Sequence, residues 1–181
     1  MFDDTMKLAS VILILGLLSS SVTMSEELHD NAGVYSTQSV KIDRDLIVSL
    51  AGKAEVSETV EGEIKKLVCR WTNVSVAVVV DPKWDGDVQI KGMRGWISRF
   101  PEEERDITPV AALLRTMDSV TNCYGCVITP GYDPDGKAKA LILGLAKKAQ
   151  GFVFSHQTFY DTEGKKIIGL PGDPVTLGPK K

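Results

Sequence analysis

Apolar and polar positions alternate in short blocks whose period changes along the chain. After Asp43, which suits a helix cap, Leu46, Ile47, Leu50, Ala51 and Ala54 recur at helical spacing. Lys66 to Trp71 sets Leu67, Cys69 and Trp71 against Val68 and Arg70, the period-two pattern of a strand. Val74 to Val80 is an almost unbroken β-branched run. It predicts a strand buried on both faces, central in its sheet. Thr72-Asn73 permits a hairpin turn between these two strands.

Val110, Leu113, Leu114 and Met117 form one stripe behind Thr108-Pro109, with proline at the first helical position. That helix is predicted to end near Asn122. Cys123 to Thr129 reads as a strand, stopped by Pro130-Gly131. Ala138, Leu141, Ile142, Leu145, Ala146 and Ala149 share one helical face. Asp133 suits the cap of that helix, Lys147 and Lys148 suit its carboxyl end, and Gly151 suits its stop. Phe152 to Ser155 is a short strand, and Thr158–Tyr160 with Lys165–Gly169 forms a hairpin around Asp161 to Gly164.

Three stretches give weaker patterns. Residues 24–41 are polar and read as a lead-in, and Ser57 to Gly62 reads as an acidic loop. In residues 88–100, Ile90, Met93 and Ile97 suggest a helix, while Gly92 and Gly95 weaken it. The order of elements predicts an α+β fold: a single mixed sheet of about four or five strands, with helices packed mainly on one face. Strand 123–129, helix 134–150 and strand 152–155 read as one βαβ unit with a right-handed crossover. The expected organisation is a signal segment at 1–23, a polar lead-in at 24–42, one α+β domain at 43–170 and a loose tail at 171–181.

The amino-terminal assignment rests on Leu8 to Leu18, an apolar run interrupted by Ser10 and Gly16. A membrane span needs about 20 residues, so this run is short for one. It fits the apolar region of a secretory signal peptide, followed by the small polar residues Ser19 to Thr23. Asp3 and Asp4 precede Lys7, so a start at Met6 makes a more ordinary signal. The expected location is secreted or periplasmic. The alternatives are a cytoplasmic protein starting at Met24 and an uncleaved amino-terminal anchor. No second apolar run after Met24 is long enough to span a bilayer.

Composition narrows the functional classes. The chain has 181 residues, 43% apolar and 25% charged, which excludes a disordered chain. A formal net charge of −3 gives no electrostatic footprint for nucleic acid. Three cysteines are too few for a disulfide scaffold.

Candidate chemistry centres on Cys123-Tyr124-Gly125-Cys126. A Cys-x-x-Cys pair in an exported chain suggests a thiol–disulfide couple or a structural disulfide between Cys123 and Cys126. Val127 to Pro130 favours a strand after the motif, so the helix that stabilises a thiolate in thioredoxin-like enzymes is missing. Cys69 is a second disulfide partner for either thiol, and reduced buried thiols are the remaining reading. Zinc would need two more ligands, and Cys69, His29 and His156 lack paired spacing, so no metal or cofactor is expected.

His156 at a strand end is a candidate general base, without a Gly-x-Ser-x-Gly nucleophile to serve. The Asp/Gly clusters at 81–87, 133–136 and 161–164 read as turns rather than calcium loops. Asn73-Val74-Ser75 matches a glycosylation acceptor by pattern. Trp84 and Arg94 are candidates for an interaction surface. The leading expectation is a small exported non-catalytic domain acting as an interaction or accessory module, its partner unspecified, with another protein as the candidate. The alternative is a thiol–disulfide or thiol-dependent enzyme using Cys123 and Cys126, with His156 as a further catalytic candidate.

Overall fold

The computed structural model describes residues 29–81, 84–131 and 133–170. The elements run β1 (Asp30–Ser36), α1 (Arg44–Ala51), β2 (Glu55–Glu61), β3 (Ile64–Arg70), β4 (Ser75–Val80), α2 (Gly86–Ile97) and α3 (Glu102–Arg105). They continue with α4 (Thr108–Met117), β5 (Asn122–Thr129), α5 (Lys137–Lys148), β6 (Phe152–Ser155), β7 (Thr158–Tyr160) and β8 (Lys166–Gly169). The fold is α+β, with one eight-stranded sheet in the order β2-β3-β4-β5-β1-β6-β7-β8. Every neighbouring pair is antiparallel.

The sheet exceeds the four or five strands expected from the pattern, and it is antiparallel rather than mixed. Two of the extra strands have a physical explanation. β2 is an edge strand with sequence EVSETVE, in which Val56 is its one buried side chain. Charge on an edge discourages pairing with other chains, and it also hides the strand among acidic loops. β1, with sequence DNAGVYS, lies inside the stretch read as lead-in. Its small and polar residues conceal a strand paired on both sides, Ala32 lying opposite Cys126 on β5 and Ser155 on β6. The sheet therefore includes residues that precede Asp43. The expected signal segment and the tail at 171–181 lie outside the described residues.

The predicted βαβ unit is split. β5 and β6 both run antiparallel to β1, so they run parallel to each other with β1 between them. Helix α5 makes the connection. Its first turn is held by Asp133, whose carboxylate accepts from the Lys137 and Lys139 amides at 2.7 and 2.9 Å.

Strand alternation feeds two separate cores. Val34, Val153 and Tyr160 pack with Val76, Val78, Cys126, Ile128 and the buried stripes of α1 and α5. The adjacent residue on each strand, Tyr35 after Val34, Phe152 before Val153 and Phe159 before Tyr160, faces α2 and α4 through Met93, Ile97, Val110, Leu113 and Met117. Adjacent residues on a strand point to opposite faces, so helices cover both sides of the sheet rather than mainly one. The ambiguous segment 88–100 is thus largely helix α2, because burying Met93 and Ile97 outweighs the cost of its glycines. β4 also departs from expectation. Val76 and Val78 are buried, whereas Ala77 and Val79 on the other face are only half-buried.

Two glycines record close approaches. A Cβ on Gly33 would stand 2.7 Å from the Tyr35 ring, which folds back across β1. A Cβ on Gly151 would stand 1.8 Å from the Tyr35 carbonyl oxygen, where the α5–β6 connection crosses β1. Gly151→Ala should therefore destabilise the fold by about 3 kcal/mol, as overpacking against fixed backbone does. Gly92→Ala on exposed α2, with nothing within 4 Å of the added atom, should stabilise it by about 0.5–1 kcal/mol. Urea midpoints of the two variants should move in opposite directions, and a Gly151→Ala midpoint equal to that of the parent would contradict the close approach.

Candidate functional site

The Cys-x-x-Cys motif lies within β5, and strand geometry separates its two thiols. Cys123 packs against the core under α2 and α4, and Cys126 belongs to the core under α1 and α5. Residues three apart on a strand point to opposite faces and are about 10 Å apart, beyond the roughly 7 Å Cα separation a disulfide tolerates. The pair expected as a disulfide is therefore two free thiols. Cys69 gives no better match. Cys69 lies opposite Val76 and Cys126 lies opposite Val78, so strand β4 runs between them.

Burial raises all three thiols above the ordinary cysteine range. Burial pushes Cys69 up to about 11. Burial pushes Cys123 up to about 12, a rise that the nearby Tyr35 hydroxyl only partly offsets. Cys126 is raised further by burial, with smaller contributions from Cys123 and Cys69. The nucleophile in thiol chemistry is the thiolate, and none of these positions favours it.

Around Cys123 the second core is aromatic. Tyr35 stacks on Phe152 with centroids 5.2 Å apart, and Trp84 meets it edge-on at 6.1 Å. The Tyr35 hydroxyl donates to Gln89 Oε1 of α2 at 2.9 Å. Burial, and then Cys123, raise the Tyr35 phenol well above its ordinary range. Trp84 is therefore a packing residue in part, although its buried Nε1 has no hydrogen-bond partner. Arg94 is also engaged. It donates to the Leu114 carbonyl at 2.7 Å and pairs with the Asp118 carboxylate, tying α2 to α4. Trp84 and Arg94 thus each make contacts within the fold while remaining partly exposed.

His156 lies in the two-residue β6–β7 turn, where His156 and Gln157 have φ of 49° and 57°. Its Nε2 is 2.8 Å from Asp30 Oδ1, and its Nδ1 is 3.2 Å from Ser155 Oγ. A serine, a histidine and an aspartate therefore meet, but they do not form a hydrolytic set. Ser155 is 3% exposed and donates to the Asn31 carbonyl at 3.1 Å, so its oxygen is closed to substrate. Asp30 was hidden from sequence reasoning because it falls in the stretch read as lead-in.

The aspartates have structural work. Asp85 Oδ1 accepts from the Val88 amide, capping α2. Asp161 Oδ1 accepts from the Glu163 and Lys165 amides, forming the turn before β8. Asn73 is exposed in the β3–β4 turn, with its amide on Asp135 Oδ2 at 3.3 Å. No group of three or more metal-ligating side chains occurs among the described residues. Among them no helix is long and apolar enough to cross a membrane.

One surface was not singled out from sequence. On the face of β3, β4 and β5 away from α1 and α5, Val68, Ala77 and Val127 lie in one cross-strand row. Val79 stands in the next row, opposite Gly125. These residues are half-buried, and they belong to neither core. The apolar run Val74 to Val80 contains the signal, but periodicity alone does not say which face a helix covers.

Comparisons with family models, curated proteins and solved structures return no match.

Thiol reactivity follows from the burial. At pH 8, iodoacetamide should alkylate Cys123 and Cys126 on the order of a hundredfold more slowly in the native chain than in urea. Stability has a matching pH dependence. The folded pKa values lie above the ordinary 9.0. The contribution of the protonated thiols is therefore complete below pH 9 and is lost as pH rises towards about 12. Native alkylation as fast as that in urea would contradict this account.

Proposed function

We propose that this chain is a small exported, non-catalytic α+β domain that acts as an interaction module. The observation that supports this reading is the half-buried apolar row Val68, Ala77 and Val127 with Val79 beside it, on a sheet face outside both cores. Contiguous apolar surface outside a core is a common mark of a partner-binding face. The groups that would support catalysis point the same way. The thiols are raised by burial, and Ser155 is enclosed. Export rests on the Leu8 to Leu18 run and the small residues after it.

Photocross-linking in the producing cell tests both halves of the reading. A benzophenone side chain replaces Val79 in one variant and the exposed Val48 of α1 in a control. The expected result is a discrete adduct from position 79, none from position 48, and recovery outside the cytoplasm of a chain lacking about its first 23 residues. Equal labelling from both positions would overturn the interaction face. An intact chain in the cytosol would overturn export.

A further inference from the structure

The β6–β7 turn carries a contact network that the interaction face does not use. His156 Nε2 meets Asp30 Oδ1 at 2.8 Å, His156 Nδ1 meets Ser155 Oγ at 3.2 Å, and Ser155 Oγ meets the Asn31 carbonyl oxygen at 3.1 Å. Counting protons fixes the state in which all three contacts are hydrogen bonds. The Asn31 carbonyl only accepts, so it takes the single Ser155 hydroxyl proton. Ser155 Oγ must then accept from His156, which requires a proton on Nδ1. An ionised Asp30 also only accepts, which requires a proton on Nε2. The three bonds coexist with a doubly protonated imidazolium.

A neutral ring has one N–H and must give up one bond. In one tautomer Nε2 turns a lone pair on the Asp30 carboxylate. In the other Ser155 turns its proton to Nδ1 and leaves the Asn31 carbonyl. Either change loosens the turn from the start of β1.

We propose that His156 is a proton-operated latch joining the β6–β7 turn to the amino-terminal end of β1. Histidine is the side chain whose charge ordinarily changes between about pH 5 and 8. The latch closes on acidification and loosens as pH rises. The charged group that β1 presents to it is Asp30, with His29 preceding Asp30 in the chain. β5 places Ile128 opposite Asp30, and β7 contributes Thr158, whose hydroxyl donates to the His156 carbonyl at 3.2 Å. Helix α2 contributes the Trp96 indole, which donates to the Gln157 carbonyl at 3.0 Å, and Arg99 lies 5.8 Å over that ring. The carboxylate is thus in direct contact with the His156 ring, and Arg99 lies over the Trp96 indole.

The His156 side chain is 59% exposed, so solvent screening keeps the effect small. Hydrogen exchange on the full chain reads it directly, at about pH 5.5 and about pH 8, with rates corrected for intrinsic exchange. Protection of residues 29–36 and 152–160 should fall together on the order of threefold at the higher pH. His156→Asn should abolish that difference, and asparagine tolerates the left-handed backbone of the turn. Asp30→Asn should reduce it. Equal protection at the two pH values in the parent chain would overturn the latch, and so would a pH response that persists in His156→Asn. Thermal melts of both variants establish that they fold.

Discussion

Strand β1 is hydrogen-bonded along both edges, to β5 on one side and β6 on the other. That pairing is the constraint on which the rest depends. Without it, β2–β5 and β6–β8 would be two separate sheets. β1 also supplies consecutive residues to opposite cores, Val34 beneath α1 and α5, and Tyr35 beneath α2 and α4. A central strand buried on both faces requires cover on both faces, because exposing either would return large apolar side chains to water at about 1.5–3 kcal/mol each. The helices answer this requirement. α5 spans the β5–β6 crossover over one face, and the α2–α4 segment between neighbouring strands β4 and β5 covers the other.

The same geometry decides the chemistry. A strand sends alternate residues to opposite cores, so it divides a Cys-x-x-Cys pair between them and raises both thiols by desolvation. It also encloses Ser155 while leaving His156 at the turn, so a serine, a histidine and an aspartate meet without an accessible nucleophile. Helical cover on the second face reaches the aromatic layer of Tyr35, Phe152 and Phe159 and leaves Val68, Ala77, Val79 and Val127 outside it. The proposed interaction face is thus what remains of a sheet wider than the helices on that side.

Elements whose burial is one-sided and strongly periodic were legible in the sequence. α5 carries its buried stripe and Asp133 in the open, and β3 shows its alternation directly. β2 was not legible because an edge strand can be almost wholly polar. β1 was not legible because Gly33 and Ala32 contribute little hydrophobicity, and because a strand's pairing with distant β5 and β6 leaves no local trace. For the candidate site, the separation of Cys123 from Cys126 was available once 123–129 was read as a strand, since three positions reverse the face. The meeting of His156 with Asp30 was not available, because it depends on the register of β1 against β6.

The central claim is that β1 makes the two halves of the sheet a single cooperative unit. Pulse-labelled hydrogen exchange across a urea series tests it within one protein. Peptides covering β3, at one side of β1, and β7–β8, at the other, are followed together. The account predicts that both lose protection at one shared urea midpoint, as a two-state domain does. Separate midpoints, with β7–β8 opening while β3 stays protected, would contradict it.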